Sequence, residues 1–294
     1  MELFTLVVVA LALLALLVAS YTDIKTREVP DFVSYGLLFI AIGVRLIFFA
    51  GTRDWHYLAD GALGFIIFFG IACIMFYAGQ WGGGDSKVLM GLGALFGIDI
   101  AATLRGTVFD TLAPAFLINT LLAGAGYGLC WTIFLAWKNK KPFFAELKKL
   151  RTKKMLRIRN ALIVLMFLTI AGVALLKQPL ERIALIIFFV STTLLYYFWL
   201  CAKAVEKACM YKLVPPEKLT EGDWIAKNIV VAGKHICGPK DLGVSKEQIA
   251  KLIRLKKQHK IKTILIKEGI PFVPSFLIGF LMTLVWGNVM MVVV

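Results

Sequence analysis

With 294 residues, 60% of them hydrophobic, and a mean hydropathy of +0.81, the chain is far more apolar than a globular domain, which runs at about 45–50% apolar. That composition excludes an ordinary soluble domain and describes a polytopic membrane protein. The formal net charge of +15 follows from a bias of Lys and Arg to one membrane side. Nucleic acid is not called for as a partner; membrane lipids with anionic headgroups are.

Apolar runs fall at about residues 2–20, 31–50, 58–78, 86–102, 111–137, 160–176, 181–202 and 271–294. Most reach the ~20 residues that cross ~30 Å of hydrocarbon. The expected fold is therefore all-α and polytopic, with about eight transmembrane helices and a small cytoplasmic α+β insertion. The first run lacks a basic start, and its lone early charge is Glu2, so it reads as a retained helix and not a signal peptide. This helix is expected to end at Ser20-Tyr21. A polar loop from Thr22 to Asp31 then carries Asp23, and Val29-Pro30 opens the second helix with Asp31 as its cap.

The third run ends at Tyr77-Ala78 and is followed by Gly79-Gln80-Trp81-Gly82-Gly83-Gly84. Consecutive glycines disfavour helix, so the fourth helix is expected to start at Asp85-Ser86, with Asp85 as its cap. Gly93-x-x-x-Gly97 and the Gly124, Gly126, Gly128 series read as faces where helices approach closely.

Residues 138–159 hold ten Lys or Arg against the single acid Glu146, which reads as a solvated cytoplasmic loop along the headgroups. Residues 203–268 form the one sizeable polar insertion. Within it, Ser245-Lys246-Glu247-Gln248 fits a capping box before an apolar stripe of Ile249, Leu252 and Ile253. Ile261 to Ile266 reads as a strand, and Trp224 to Ile236 as a hairpin turning at Ala232-Gly233. An insertion of this size seldom holds a robust core alone, so it is expected to lean on the membrane domain. The division expected is a membrane domain at 1–202, the insertion at 203–268 and a final transmembrane helix at 269–294.

Charge orients the bundle. Lys25, Arg27, Lys87, the basic segment and the insertion share one side and hold 28 of the 33 Lys and Arg. By the positive-inside rule that side is cytoplasmic, with both termini outside. The cysteines at 73, 130, 201, 209 and 237 show no C-x-x-C spacing and read as packing residues. The three histidines have no ligand spacing to a cysteine, so neither a zinc site nor another cofactor is expected.

Two acids stand apart. Asp23 and Asp85 each lie at the end of an apolar run on the cytoplasmic side, and a carboxylate at the edge of hydrocarbon marks a functional site by default. Two carboxylates close enough to share one proton can split into a base and an acid, as aspartyl proteases require. Gly82, Gly83 and Gly84 would let a substrate strand approach Asp85 closely, with Lys87 and Lys25 as flanking binding residues. The plainer readings are an ion pair of Asp23 with Lys25 or Arg27, and a simple helix cap at Asp85.

The block Tyr21-Thr22-Asp23-Ile24-Lys25-Thr26-Arg27-Glu28-Val29-Pro30 and the block Gly82-Gly83-Gly84-Asp85-Ser86-Lys87 resemble the two signatures of the type IV prepilin peptidase family. These are membrane aspartyl proteases of the Gly-x-Gly-Asp kind. The polar insertion and the run Lys267-Glu268-Gly269-Ile270-Pro271-Phe272-Val273-Pro274 are closer to the archaeal prepilin and preflagellin peptidases. The resemblance implies a metal-independent endopeptidase in the cell membrane. Asp23 and Asp85 would be its catalytic pair, removing a short basic leader from pilin-like or archaellin precursors at the cytoplasmic face. The paired cysteine motifs of methylating bacterial members are lacking. A presenilin-like intramembrane protease and a transporter with ion-binding acids are the competing readings.

Overall fold

The computed structural model describes residues 3–150, 152–231 and 233–293. Glu2 and Ala232, which entered the sequence reading, lie outside the described residues. The helices are α1 (Leu3–Thr26), α2 (Asp31–Thr52), α3 (His56–Tyr77), α4 (Gly83–Phe96), α5 (Ile100–Arg105), α6 (Leu112–Lys138), α7 (Lys140–Lys149), α8 (Lys153–Leu175), α9 (Pro179–Val205), α10 (Lys246–Lys257), α11 (Val273–Trp286) and α12 (Val289–Val293). The strands are β1 (Tyr211–Val214), β2 (Trp224–Ile225), β3 (Ile229–Val231), β4 (Lys234–Cys237) and β5 (Ile264–Lys267).

Six helices, α1, α2, α3, α6, α8 and α9, are long and apolar enough to cross a membrane. The fourth and last expected crossings are shorter: α4 and α11 have 14 residues each. At 1.5 Å per residue each is about 21 Å long, less than the hydrocarbon thickness. α4 is instead enclosed by other helices, whereas α11 packs one face on α1 and α6 and leaves Ile278, Leu281 and Leu284 exposed on the other. The fold is an α-helical polytopic membrane bundle with a small α+β insertion.

The bundle is organised around α4, which packs on α1, α2, α3 and α6. Val88, Leu89, Leu92 and Leu95 of α4 are completely buried. Between helices in lipid, van der Waals fit and not apolar burial drives association, and small residues let backbones close in. Gly93 of α4 lies against Phe68 and the carbonyl of Gly64 in α3, and Gly64 in turn lies against the carbonyl of Gly93. A methyl at either position would overlap the other helix. Of the later glycine series only Gly124 is packed, against Phe272; Gly126 and Gly128 face open space. An aromatic cluster of Phe96, Phe116, Phe276 and Phe280 fills the space between α4, α6 and α11.

Several expected boundaries move. The first helix runs to Thr26, six residues beyond Ser20, so Asp23 stands in its last turn and not in a loop. The hydroxyls of Thr22 and Thr26 bond back to the carbonyls of Val18 and Thr22, which carries the polar stretch as helix. The fourth helix starts at Gly83, not at Asp85, with Gly82 as its N-cap. Asp31 is the first residue of α2, makes no cap hydrogen bond, and its carboxylate takes Lys87 instead. The basic segment 138–159 is largely helical: α7 buries Phe143 and Leu150 follows it against Ala204 and Val205 at the end of α9. α8 and α9 pack on one another and bury little else within the chain.

The insertion has its own core of Leu219, Ile225, Ile236, Cys237, Val244, Leu252, Ile264 and Ile266. Its sheet runs β1-β5-β2, all antiparallel, and β3 pairs with β4 as a separate hairpin. Thus Trp224 joins the central strand β5 and lies outside the hairpin. Ser245 and Gln248 form the expected capping box of α10.

Arg45 is the least expected buried group. It is 4% exposed inside α2, and its Nε, Nη1 and Nη2 donate to the carbonyls of Ala94 (2.6 Å), Tyr57 (2.6 Å) and Leu95 (3.0 Å). Two of those carbonyls belong to the last turn of α4, which has no helical partner for them. Arg45→Met keeps the length and strands three carbonyls. It is expected to cost about 3 kcal/mol of stability, read as a fall in the thermal unfolding midpoint in detergent. Arg45→Lys should recover part of this, since an ammonium donates but lacks the planar fork. Equal stability of wild type and Arg45→Met would show that α4 is anchored by other contacts.

Candidate active site

Val8, Ala12, Leu16, Ala19 and Asp23 lie along one buried stripe of α1, spaced as one face of a helix requires. Asp23 therefore continues an apolar face into the protein and is only 5% exposed. Its Oδ2 accepts from the backbone N–H of Val273 at 3.0 Å. That amide opens α11 and lacks an intrahelical acceptor, so Asp23 caps a helix 250 residues away in sequence.

Asp85 is the third residue of α4, and its Oδ2 accepts from the Gly82 N–H at 3.0 Å. It is half-buried. Because α1 packs on α4, the two carboxylates lie within electrostatic range of each other. Each spends one oxygen on a backbone amide.

Neither Lys25 nor Arg27 forms an ion pair with Asp23 among the described residues. The Lys25 ammonium donates to the Tyr21 hydroxyl at 3.3 Å on the exposed side of α1. Arg27, in a left-handed conformation with φ 62°, donates to the carbonyl of Gly269 at 3.3 Å and lies over the Trp131 ring. Lys87 is drawn to the opposite side of α4, where it meets Asp31 at 2.6 Å and the Tyr35 ring. The structure thus brings together Asp23, Asp85, Gly82, Gly83 and Gly84, and sets Lys25 and Lys87 facing away to partners of their own.

The glycines do more than loosen a loop. Gly83 and Gly84 belong to the first turn of α4, and a Cβ on Gly84 would stand 3.3 Å from both Cβ and N of Val29. The start of α4 is pressed against the α1–α2 connection there. Gly79 takes φ 66°, and the Trp224 ring of the insertion rests on it. Trp81, nearly buried, packs on Phe272 and Phe276 at 5.5 and 5.4 Å between ring centroids. Periodicity points to none of the residues that close the site from the far end of the chain, Phe272 and Val273. Their one signal is the proline-flanked run 271–274.

These features define a class: a polytopic helical membrane protein with two carboxylates gathered where α1, α4 and the start of α11 meet. Residues 10–129, which hold both aspartates, match the family described as the Type IV leader peptidase family. A preflagellin peptidase of Methanococcus voltae is 32% identical over 133 residues, covering 44% of this chain and 57% of that protein. One from Methanocaldococcus jannaschii is 29% identical over 43% of this chain and 55% of its own length. The match thus spans little more than half the length of these curated relatives. The prepilin peptidase EppA of Methanothermobacter thermautotrophicus is 21% identical over 97% of this chain and 95% of its own length. No solved structure matches the chain.

The Gly84 contact gives a test of the packing. Gly84→Val has to displace the Val29 segment, so it should lower stability by about 1–3 kcal/mol in a thermal unfolding assay. Gly83→Ala meets only the edge of the Phe76 ring, at 3.9 Å. It should be neutral or stabilising, since Ala favours helix over Gly by up to ~1 kcal/mol. Equal stability of Gly84→Val and wild type would remove the close approach from the account.

Proposed function

We propose that this protein is a membrane aspartyl endopeptidase that cleaves the short basic leader from pilin-like or archaellin precursors, with Asp23 and Asp85 as its catalytic pair. The observation that carries the reading is the convergence of these two acids, 62 positions apart, on one site within a Type IV leader peptidase segment. The similarity to preflagellin and prepilin peptidases supplies the substrate class.

The chemistry needs no metal. One carboxylate is ionised and takes a proton from water as its oxygen attacks the scissile carbonyl. The other is protonated and gives its proton to the carbonyl oxygen. Like charges at close range resist ionising together, so the pair titrates as a unit and reaches this mixed state over a broad pH range. Collapse of the tetrahedral intermediate returns a proton to the amide nitrogen as the C–N bond breaks. Backbone amides of Val273 and Gly82 hold one oxygen of each carboxylate and leave the other for water or substrate.

The orientation belongs to the same proposal. Lys and Arg crowd the side holding the ends of α1 and α3, so that side is cytoplasmic and both termini are outside. We divide the chain at the same boundaries as before: a membrane domain at 1–202, the cytoplasmic insertion at 203–268, and a last membrane segment at 269–294.

Asp23→Asn and Asp85→Asn are the direct test. Asn keeps an acceptor oxygen for the Val273 and Gly82 amides and removes the titratable proton, so both variants should fold. Each should lose at least ~100-fold in cleavage of a purified precursor, the scale of a general acid–base contribution, and wild type should retain activity in a strong chelator. Substantial cleavage by either variant, or loss restored by a divalent metal, would defeat the reading.

Orientation is tested separately in a background without the five cysteines. Thr26→Cys, at an exposed position, should react with an impermeant maleimide only from the cytoplasmic side. Thr52→Cys, also exposed, should react only from outside. The reverse pattern would put the site out of reach of a cytoplasmic leader.

A further inference from the structure

Gly124, Tyr127 and Trp131 lie on one face of α6, spaced three and four residues apart, so their side chains stack along the same line. Each end of that line touches the site. Gly124 leaves room for the Phe272 ring, next to the Val273 amide that Asp23 holds. Trp131 lies beneath the Arg27 guanidinium at 5.2 Å, one helical turn beyond Asp23. Tyr127 sits between them, its ring 5.7 Å from that of Trp131.

The Tyr127 hydroxyl is buried and has no hydrogen-bond partner among the described residues. Its charged surroundings are Asp23 and Arg27. Leaving a buried hydroxyl without a partner destabilises a fold, and such groups are rare enough that each needs a reason. Phenylalanine would fill the same volume between Gly124 and Trp131 without that cost. The fold therefore gains nothing from the oxygen, whereas a site that must meet a peptide carbonyl beside Asp23 gains a donor.

We propose that Tyr127 is a third catalytic group, whose hydroxyl donates a hydrogen bond to the scissile carbonyl oxygen when that oxygen enters between Tyr127 and Asp23. The inference rests on the peptidase reading above. Proton bookkeeping is unchanged by it: water loses its proton to the ionised carboxylate, the carbonyl oxygen gains one from the protonated carboxylate, and Tyr127 keeps its own throughout. Its contribution is a preformed donor at the oxygen where charge develops. Because the bond strengthens as the carbonyl becomes tetrahedral, it acts on kcat more than on KM.

The test uses full-length protein in detergent and a purified precursor made of a basic leader followed by an apolar helix. Tyr127→Phe, wild type and Asp85→Asn are compared. Tyr127→Phe should lose about 100-fold or more in kcat, the scale for one donor to a developing oxyanion. Its KM should stay within about threefold, and its thermal unfolding midpoint should be equal to or above that of wild type, because the orphaned hydroxyl is gone. A purely structural hydroxyl would give the opposite stability result. A kcat within threefold of wild type, an effect confined to KM, or activity lost together with stability would each overturn the proposal. Asp85→Asn separates the two levels. If it cleaves, the peptidase reading fails; if it is inert while Tyr127→Phe is normal, only the role of Tyr127 fails.

Discussion

A helix that stops inside a bundle leaves backbone amides at one end and carbonyls at the other with no partner, and no water in hydrocarbon can supply one. That constraint organises this protein. Two short helices, α4 and α11, pack on longer ones, and the ends that lie inside the bundle are met by side chains. Arg45 meets the carbonyls of Ala94 and Leu95 at the end of α4. Asp85 meets the Gly82 amide at its start, and Asp23 meets the Val273 amide at the start of α11. Three buried or half-buried charges are thereby fixed in position by the same requirement.

The arrangement links architecture to chemistry economically. A carboxylate that caps a helix is oriented by the amide it accepts and need not be held by a cation. An ion pair would favour the charged form of the acid, whereas a single amide occupies one oxygen and leaves the other open. Lys25, Arg27 and Lys87 are close in sequence to the two acids yet bound elsewhere, to Tyr21, Gly269 and Asp31. The end of α1 is thus joined to the carboxy-terminal helix by the Asp23–Val273 hydrogen bond, while Asp85 and Gly82 close the start of α4 on itself, and the catalytic proposal uses both bonds.

Sequence periodicity made the helices legible because long apolar runs have few alternatives in a membrane. The capping box at Ser245 and Gln248 was legible for a local reason: its partners are three residues apart. Boundaries were harder. Thr22 and Thr26 look like loop residues but bond back along α1, and Gly83 and Gly84 enter α4, where Val29 presses on Gly84. The two acids stood out since charge beside an apolar run is costly. What surrounds them did not, because the Asp23–Val273 contact joins residues 250 positions apart and the isolation of the Tyr127 hydroxyl depends on what fails to reach it. Arg45 carries no such local signal, because its carbonyl partners lie in other helices.

The insertion enters the same frame from outside the bundle. Its central strand β5 ends at Lys267, and six residues later the Val273 amide rests on Asp23. β2 pairs with β5 in register, Trp224 opposite Lys267, and the Trp224 ring lies on Gly79 in the segment leading to Asp85. One small sheet is therefore attached to the backbone on each side of the site. Its own core of Leu252, Ile264 and their neighbours makes it a stiff piece, and a stiff piece fastened at two points constrains the distance between them. The segments leading to the two carboxylates are thus tied to packed helices and also to this sheet.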